Sequence, residues 1–397
     1  MDFDFLDRQL LNVTRDAVVQ FKNVLEGARP NDKELHELCK RVRPYTHSKT
    51  LETEFAIAAV DGSGEFPVLQ QDDVFLHFVI AAGAAYQTDS HRQHKLSSLH
   101  ALNPIYKQYV LLSDDSKVVI DNYKQFLLAL TGMTLKDLVG ASDYCDVFNQ
   151  YSKEKLNPSR VTWDRFPFAK ASQVSTHAYL LRSMAELGMA LKMLEAKPRY
   201  LLLDTSLVYF FLGEQPYLPE LLKRALIARA AEQATGVVAL CKSHNVPNGD
   251  LIARHAKDEV GFKDHWYLRL PSEALGDNLP AFLLGREIPP KLSISYLFKF
   301  HSTSFPMRID VDAGWWQKTI GGDEALERAF FGDLDFTCHE VRSFGYPYPM
   351  HAAHRSASLT KQERKALKDI LLQHAQREGL MRCALASDPE QLHMGGM

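Results

Sequence analysis

The sequence lacks the features that mark several classes of protein, beginning with paired cysteines. Its five cysteines, Cys39, Cys145, Cys241, Cys338 and Cys383, are odd in number, widely separated and without a CxxC pair. Neither a zinc site nor a disulfide framework is therefore expected, and a reducing cytoplasm is the natural setting.

The sequence also lacks a long hydrophobic run. The apolar stretch 74–85 is interrupted by His77 and is shorter than the roughly 20 residues that a membrane-spanning helix needs. The N-terminal stretch MDFDFLDRQL is acidic and has no basic segment followed by an apolar core, unlike a signal peptide. We expect a soluble cytoplasmic protein that does not contact a membrane.

Neither sign of charge is in large excess. The chain has 46 Lys and Arg against 49 Asp and Glu, and its formal net charge is −3. This argues against a basic nucleic-acid coat protein, although the total charge does not exclude a local basic groove. At 397 residues, 46% of them hydrophobic, the chain can form one large domain with insertions or two domains.

The apolar patterns predict an α/β fold in which a mixed sheet is flanked by helices. The first half is predicted to contain a helix at 3–26, a short helix capped by Asn31 or Asp32, a strand at 55–60 and one or two strands at 72–85. The polar segment 86–165 is predicted to be a mostly helical insertion, with helices near 117–130 and 134–139.

The second half of the chain alternates between apolar patterns typical of helices and of strands. It is predicted to contain helices at 174–196, 219–234, 249–258 and 322–331, and strands at 200–204, 236–241, 265–270, 293–300 and 307–311. Pro198 ends the first of these helices, and Thr360 with Glu363 forms a capping box for a final helix. We divide the chain into an N-terminal helical segment at 1–50, a main domain at 51–375 and a tail at 376–397.

Each of two predicted strands is followed directly by an acidic residue. Asp61 follows the apolar stretch 55–60, and Asp204 follows the apolar run 200–203. Neighbouring strands lie about 4.8 Å apart, so two such acids can meet. Glu186, within the apolar helix 174–196, can complete the set, because a buried acid needs a partner or a metal. Carboxylates suit Mg²⁺ and Mn²⁺, which act in pairs on phosphodiester bonds.

Each acid also has an ordinary structural interpretation. Asp61 begins an Asp-Gly-Ser turn, Asp204 can cap a turn or helix, and Glu186 can lie on the surface of an amphipathic helix. The three acids together, on strand, helix and strand, favour a catalytic interpretation more than any one of them alone.

Two further segments carry candidate residues. Lys242 follows the strand 236–241 and can neutralise a phosphate, or it is a solvated surface lysine. In the segment 343–359, Tyr346 can hydrogen-bond a phosphate, and His354 can bind Mn²⁺ or donate a proton. The alternative for this segment is a surface loop with aromatic packing. His351 competes with His354 and would share a helix face with it.

In this order, these motifs resemble those of NurA nucleases, which are DNA end-processing enzymes with a ribonuclease H-like core. The motifs are AAVDGSG at 58–64, the acid within the helix 174–196, LLLDTSL at 201–207, VVALCKS at 237–243 and GYPYPMHAAH at 345–354. The resemblance covers roughly residues 50–375 and rests on these short islands. Thr205 stands where family members often have glycine.

The resemblance implies six catalytic residues, four of them metal ligands: Asp61, Glu186, Asp204 and His354 as ligands of Mn²⁺ or Mg²⁺, with Lys242 and Tyr346 in support. Glu65 and Glu195 compete with Glu186. The resemblance also implies a homodimer that resects DNA from 5′ to 3′ and cuts single strands, in repair or phage defence. Its implied partners are single-stranded or duplex DNA ends and a HerA-type hexameric ATPase.

Two other functions fit the same sequence. One is a catalytically inactive nuclease-fold adaptor of a DNA-translocating ATPase, although such an adaptor has no reason to bury three acids together. The other is a nuclease of the same fold that acts on RNA or structured DNA. The basic and aromatic segment 295–308 can line a DNA path or form two core strands.

Overall fold

An eleven-stranded sheet organises the chain. The computed structural model describes residues 8–27, 32–45, 47, 49–63, 67–71, 74–99, 103–113, 115–168, 174–207, 215–242, 246, 248–260, 265–279, 292–301, 304–339 and 345–380. The strands are β1 (Arg43–Pro44), β2 (Ala56–Ser63), β3 (Pro67–Gln71), β4 (Val74–Thr88), β5 (Leu96–Ser98), β6 (Ile105–Leu112), β7 (Tyr200–Leu203), β8 (Gly236–Cys241), β9 (Trp266–Arg269), β10 (Ser293–Lys299) and β11 (Met307–Asp312).

Helices cover the sheet. They are α1 (Arg8–Gly27), α2 (Asp32–Cys39), α3 (Ser116–Thr131), α4 (Leu135–Gly140), α5 (Tyr144–Tyr151), α6 (Val174–Met193), α7 (Leu218–Glu232), α8 (Gly249–Val260), α9 (Ala313–Thr319), α10 (Glu324–Phe336), α11 (Tyr348–Ala357) and α12 (Lys361–Arg377).

The sheet is mixed, with its parallel part at the centre. Its order is β1-β9-β10-β11-β8-β7-β2-β4-β3, and β5 and β6 also pair with β4. β7 runs parallel to both β2 and β8, whereas β4 and β11 pair with this central group in the antiparallel direction. The predicted fold class is confirmed: the chain has an α/β fold with a ribonuclease H-like mixed sheet.

The two faces of the sheet bury different helices. Residues 57–60 of β2 are all buried, as expected for a strand covered on both faces. Ala58 and Val60 belong to the core that contains α3, α6 and α7. Ile57 and Ala59 belong to the core that contains α9, α10 and α11. Since side chains alternate along a strand, Asp61 points to the α11 face and Gly62 to the α6 face.

Most of the predicted elements are confirmed, with small shifts at their ends. One correction matters for the site: β2 continues through Asp61, which pairs with Ala82, so Asp61 lies within the strand and not on a turn after it. Residues 74–85 of the predicted stretch 72–85 belong to the single long strand β4, which β3 precedes; residues 72–73 lie outside the described ranges. Residues 295–308 supply parts of β10 and β11, with residues 302–303 outside the described ranges.

Several elements differ from the predictions: the strands β1 and β3 were not predicted. β5 and β6 lie within the segment that was predicted to be mostly helical, and α9 was not predicted. The helix α1 forms, but every residue from 11 to 24 is exposed. Its apolar stripe is therefore not buried by the part of the chain that the structure describes.

No helix among the described residues is both long and apolar enough to cross a membrane. Cys39, Cys145, Cys241 and Cys338 are free thiols, and Cys383 lies outside the described ranges. The capping box of Thr360 and Glu363 begins α12 as predicted. The predicted tail, 376–397, is described only as far as residue 380.

Candidate active site

Asp61 is a buried carboxylate near the end of β2. Only 2% of the residue is exposed. Its Oδ1 accepts a hydrogen bond of 2.8 Å from the backbone amide of Gly62. Its Oδ2 lies 2.5 Å from Nδ1 of His354, on α11. A buried charge requires such partners, and Asp61 has one on each oxygen.

Asp204 lies beside Asp61, on the first residue after β7. Val60 pairs with Leu203 in the parallel register of β2 and β7, so the two acids are the next residues along adjacent strands. Oδ2 of Asp204 accepts a hydrogen bond of 2.8 Å from Nζ of Lys242, which directly follows β8. Asp61, Asp204 and Lys242 thus lie near the same ends of three neighbouring parallel strands.

Glu186 approaches from α6, on the other side of the sheet. It accepts a hydrogen bond of 2.8 Å from Nε of Arg182, one turn earlier on the helix. The pKa of Glu186 is raised to about 8, mainly by burial; Arg182 opposes this shift, and the charges of Asp61 and Asp204 add to it. The three acids therefore lie close enough to affect one another's ionisation.

Gly62 allows this approach. A Cβ atom at residue 62 would lie 2.8 Å from Cγ of Glu186 and 3.3 Å from its Oε1. A side chain at this position would therefore displace Glu186. The glycine after Asp61 is explained by the close contact between β2 and α6.

The helix α11 is held at its start by the residue that follows α10 and at its end by β2. The amide of Tyr348 donates to the carbonyl of Thr337 over 2.9 Å, and the hydroxyl of Ser63 donates to the carbonyl of Ala357 over 2.5 Å. These contacts hold His354 against Asp61. The other histidine of the motif, His351, stacks on Tyr348 with a centroid distance of 6.2 Å.

Tyr346 is a partly buried phenol between these groups. The ammonium of Lys242 lies 5.1 Å from the centre of its ring, within the range of a cation–π contact. Burial raises the pKa of Tyr346, as do the charges of Asp204 and Asp61. Its hydroxyl has no hydrogen-bond partner among the described residues.

Sequence reasoning missed Arg182. Its Nη2 lies 3.8 Å from Oδ1 of Asp61, while its Nε bonds Glu186. The guanidinium therefore bridges two of the three acids. Arg182 and Glu186 are four residues apart on a helix, a spacing that favours ion pairs. This spacing could have identified Arg182 from the sequence.

A buried ion pair holds the turn after Asp204. It was not predicted from the sequence. Nε of Arg308 lies 3.1 Å from Oδ1 of Asp310, and both residues are almost fully buried. Oδ2 of Asp310 accepts hydrogen bonds from the Ser206 hydroxyl at 2.8 Å and the Leu207 amide at 3.2 Å. The signal was the charged alternation in MRIDVD, which places charges on one buried face of β11.

The structure thus gathers Asp61, Glu186, Asp204, Lys242, Tyr346 and His354 at one end of the central strands. Glu195 is exposed at the end of α6, and Glu65 lies outside the described residues. Oxygen ligands and one imidazole suit Mn²⁺ and Mg²⁺ in their chemistry.

The ligand atoms are spread more widely than one ion needs. Within the described ranges, no three of the groups Asp61, Glu186, Asp204 and His354 have ligand atoms within 4.8 Å of one another. Binding of one ion by three of these groups would require their side chains to move closer together. An ion between Glu186 and Asp61 would replace the guanidinium of Arg182.

The fold is shared with a known nuclease. The NurA nuclease from Sulfolobus solfataricus superposes with a TM-score of 0.51 at 12% identity, over 94% of this chain and 98% of that one. NurA bound to dAMP and manganese superposes with a TM-score of 0.37 at 10% identity, over 91% and 95%. No family model matches the chain, and no curated protein is significantly similar to it.

Endonuclease V from Ciona intestinalis, in complex with a 24mer DNA, is a further neighbour. Its TM-score is 0.29 at 13% identity, over 85% of this chain and 96% of that one. At 12% identity, the similarity to the Sulfolobus protein establishes a common fold.

Proposed function

We propose that this protein is a metal-dependent deoxyribonuclease of the NurA family. One observation supports the proposal above the others: Asp61 and Asp204 lie side by side near the ends of adjacent parallel strands, with Glu186 and His354 brought to them from opposite faces of the sheet. If Asp61 served only to form a turn, it would not need to lie beside two other acids, Asp204 and Glu186. The shared fold and the NurA-like motifs point in the same direction.

Asp61, Glu186, Asp204 and His354 would hold one or two Mn²⁺ or Mg²⁺ ions. Such ions supply Lewis-acid polarisation and lower the pKa of bound water. In the reaction, a water oxygen bonds to phosphorus, the bond to the leaving oxygen breaks, and the leaving oxygen takes a proton. No covalent enzyme intermediate is required.

The other side chains have roles that follow from their positions. The ammonium of Lys242 is 48% exposed and can contact a phosphate oxygen as negative charge develops on it. Tyr346 can donate its unpaired hydroxyl to the same phosphate. The side chain of His354 is 52% exposed. In place of binding an ion, its imidazole could instead reach a leaving oxygen and give it a proton.

A small pocket beside Glu186 opens next to the acids. Its lining includes Tyr179, Tyr217 and Ser183, together with Thr205 and Ser206 of the turn after Asp204. Tyr179 is 56% exposed, and an exposed aromatic ring next to polar groups suits base stacking. We propose that single-stranded or end-frayed DNA enters here.

The finer parts of the proposal follow from the family resemblance. The protein would act in the cytoplasm as a homodimer, resect DNA from 5′ to 3′ and cut single strands. It would work with a HerA-type ATPase in repair or phage defence.

A nuclease assay tests the proposal. Wild type, Asp61→Asn and the exposed-surface control Asp121→Asn would meet end-labelled single- and double-stranded DNA, and RNA of the same sequence, with Mn²⁺, Mg²⁺ or EDTA. We expect metal-dependent DNA cleavage by wild type and the control, and its loss in folded Asp61→Asn.

The other outcomes separate the alternative functions. Preferential cleavage of RNA would favour the RNA nuclease. No cleavage by wild type, even with the ATPase partner added, would favour the inactive adaptor. Equal cleavage by wild type and Asp61→Asn would refute the assigned site.

A further inference from the structure

Four histidines converge at a place that the proposed nuclease reaction does not use. His47 follows β1, His94 lies between β4 and β5, His265 precedes β9 and His339 follows α10. They come from four distant parts of the chain, so no local motif brings them together. The fold places them on the α10 side of the sheet.

The four imidazole rings are packed against one another. The ring of His339 lies 4.1 Å from that of His47 and 4.2 Å from that of His94, centre to centre. The rings of His47 and His94 are 4.9 Å apart, and those of His47 and His265 are 5.2 Å apart. Four rings so close cannot all carry a proton, because like charges in contact repel.

A buried carboxylate lies beneath the rings. Asp335, near the end of α10, is fully buried. Its Oδ2 lies 2.6 Å from Nδ1 of His47, and its Oδ1 lies 3.3 Å from Nε2 of His339. A carboxylate that accepts from one imidazole nitrogen fixes the ring and leaves the other nitrogen to face a metal ion.

Two features of His94 require an explanation. Its Nδ1 is buried without a hydrogen-bond partner in the described part of the chain, which costs free energy unless something binds it. Its backbone has a φ of +49°, in the left-handed region that non-glycine residues rarely occupy and that is over-represented at functional sites.

We propose that His47, His94 and His339 bind one Zn²⁺ ion, with Asp335 orienting the ring of His47. One ligand atom from each of the three histidines lies within 4.8 Å of the others. Zinc–nitrogen bonds are about 2.0–2.1 Å long, so small side-chain rotations bring the three nitrogens to one ion. His265 forms a second group within the same limit, with His47 and Asp335.

The chemistry of the cluster separates it from the acid site. Imidazole is a borderline ligand that suits Zn²⁺, whereas carboxylates suit Mg²⁺ and Mn²⁺. The absence of a CxxC pair removed the usual sequence sign of zinc, but three histidines are also a known zinc ligand set, in which water takes the fourth position.

A zinc ion here would tie together segments that are far apart in sequence. His339 lies one residue after Cys338, whose carbonyl accepts a hydrogen bond of 2.9 Å from the amide of Gly345. Gly345 precedes Tyr346 and the helix α11. The ion would thus stabilise the folded chain and hold the segment that leads into the candidate active site.

Metal analysis tests the proposal without relying on nuclease activity. The double variant Asp61→Asn/Asp204→Asn weakens the acid site, so that bound metal reports on the histidines. After treatment with EDTA and dialysis, the protein would be titrated with Zn²⁺ against a chromophoric chelator. Co²⁺ would be added in parallel and its visible spectrum recorded.

We expect one equivalent of Zn²⁺, intense Co²⁺ bands typical of four-coordinate geometry, X-ray absorption with imidazole ligands, and a higher melting temperature with Zn²⁺. Absence of tight Zn²⁺ binding, or a zinc shell without imidazole, would overturn the proposal. Neither measurement depends on a histidine variant that must fold.

Histidine variants then locate the ion. His339→Gln and His47→Gln should lower the Zn²⁺ affinity by on the order of 100-fold or more, and Asp335→Asn by about 10- to 100-fold. His91→Gln is the matched control, because His91 is exposed and lies three residues from His94. Unchanged zinc affinity in the folded cluster variants would place the ion elsewhere and refute the assignment.

Discussion

Nδ1 of His354 lies 2.5 Å from Oδ2 of Asp61, although 293 residues separate them in the sequence. The contact crosses from α11 to β2 and joins the last motif of the chain to the first. Asp61 fixes one nitrogen of the imidazole, and the Ser358 hydroxyl lies 3.3 Å from the other. The ring is therefore held in place while half of it remains open to solvent.

We expect His354→Gln to lower the DNA cleavage rate by roughly 100-fold or more, as loss of a positioned proton donor or ligand does. His351→Gln is the matched control on the same helix and should retain activity within a few-fold. Single-turnover cleavage rates at saturating metal provide the measurement. If the two variants lose activity equally, His354 has no special role.

Lys242→Met should separate a catalytic role from a stabilising one. The pair with Asp204 is partly exposed, so its loss should change the free energy of unfolding by less than about 1 kcal/mol. Loss of a charge that contacts the phosphate should lower the cleavage rate by about 100-fold.

The control for this variant is Lys124→Met, which removes an exposed ion pair of 2.9 Å with Asp121 far from the acids. It should leave both activity and urea stability nearly unchanged. A large stability loss in Lys242→Met with a proportionate loss of activity would indicate that Lys242 is structural.

Glu186 should make the metal-free protein less stable as the pH rises. Burial raises its pKa from 4.5 to about 8, so between these values the folded protein retains a proton that the unfolded chain has released. The free energy of unfolding then falls by on the order of 1 kcal/mol per pH unit from this group alone. Below about pH 4.5 the difference disappears.

Glu186→Gln, which carries no titratable group at this position, should lack this slope and gain relative stability between pH 5 and 8. Urea unfolding in EDTA at several pH values measures it. Glu195→Gln, at the exposed end of the same helix region, should follow wild type. Parallel pH profiles for wild type and Glu186→Gln would show that Glu186 is ionised throughout.

Gly62→Ala should damage both the packing and the activity. The new methyl group meets Cγ of Glu186 at 2.8 Å, and overpacking of this kind costs about 1–3 kcal/mol. Gly332→Ala, in the middle of α10 with open space around it, should instead stabilise by about 0.5–1 kcal/mol. Urea unfolding and cleavage rates of both variants check this. A stable, fully active Gly62→Ala would mean that Glu186 can move without consequence.

The local parts of the fold and site could be predicted from the sequence. Asp61 and Asp204 were found because an apolar run that ends in an acid is visible within a few residues. The helix α6 was found from its apolar residues and its terminating Pro198. The capping box of α12 was equally local.

The parts that depend on distant contacts could not be predicted. Arg308 and Asp310 were placed in a strand, but their bonds to the turn after Asp204 require β11 to lie beside β8. The four clustered histidines share no spacing, because only the folded sheet brings their loops together. β6 was missed because its polar residues break the apolar pattern where one face is exposed.

The fastening of α11 to β2 has a consequence for synthesis of the chain. The sheet strands β2, β7 and β8 leave the ribosome before residue 242, whereas His354 and Tyr346 follow more than one hundred residues later. A nascent or truncated chain that stops before Pro347 has the acids but not their imidazole partner. Under the proposed function, a partly made chain would be unable to cut nucleic acid, and the finished protein would gain that ability only as α11 docks.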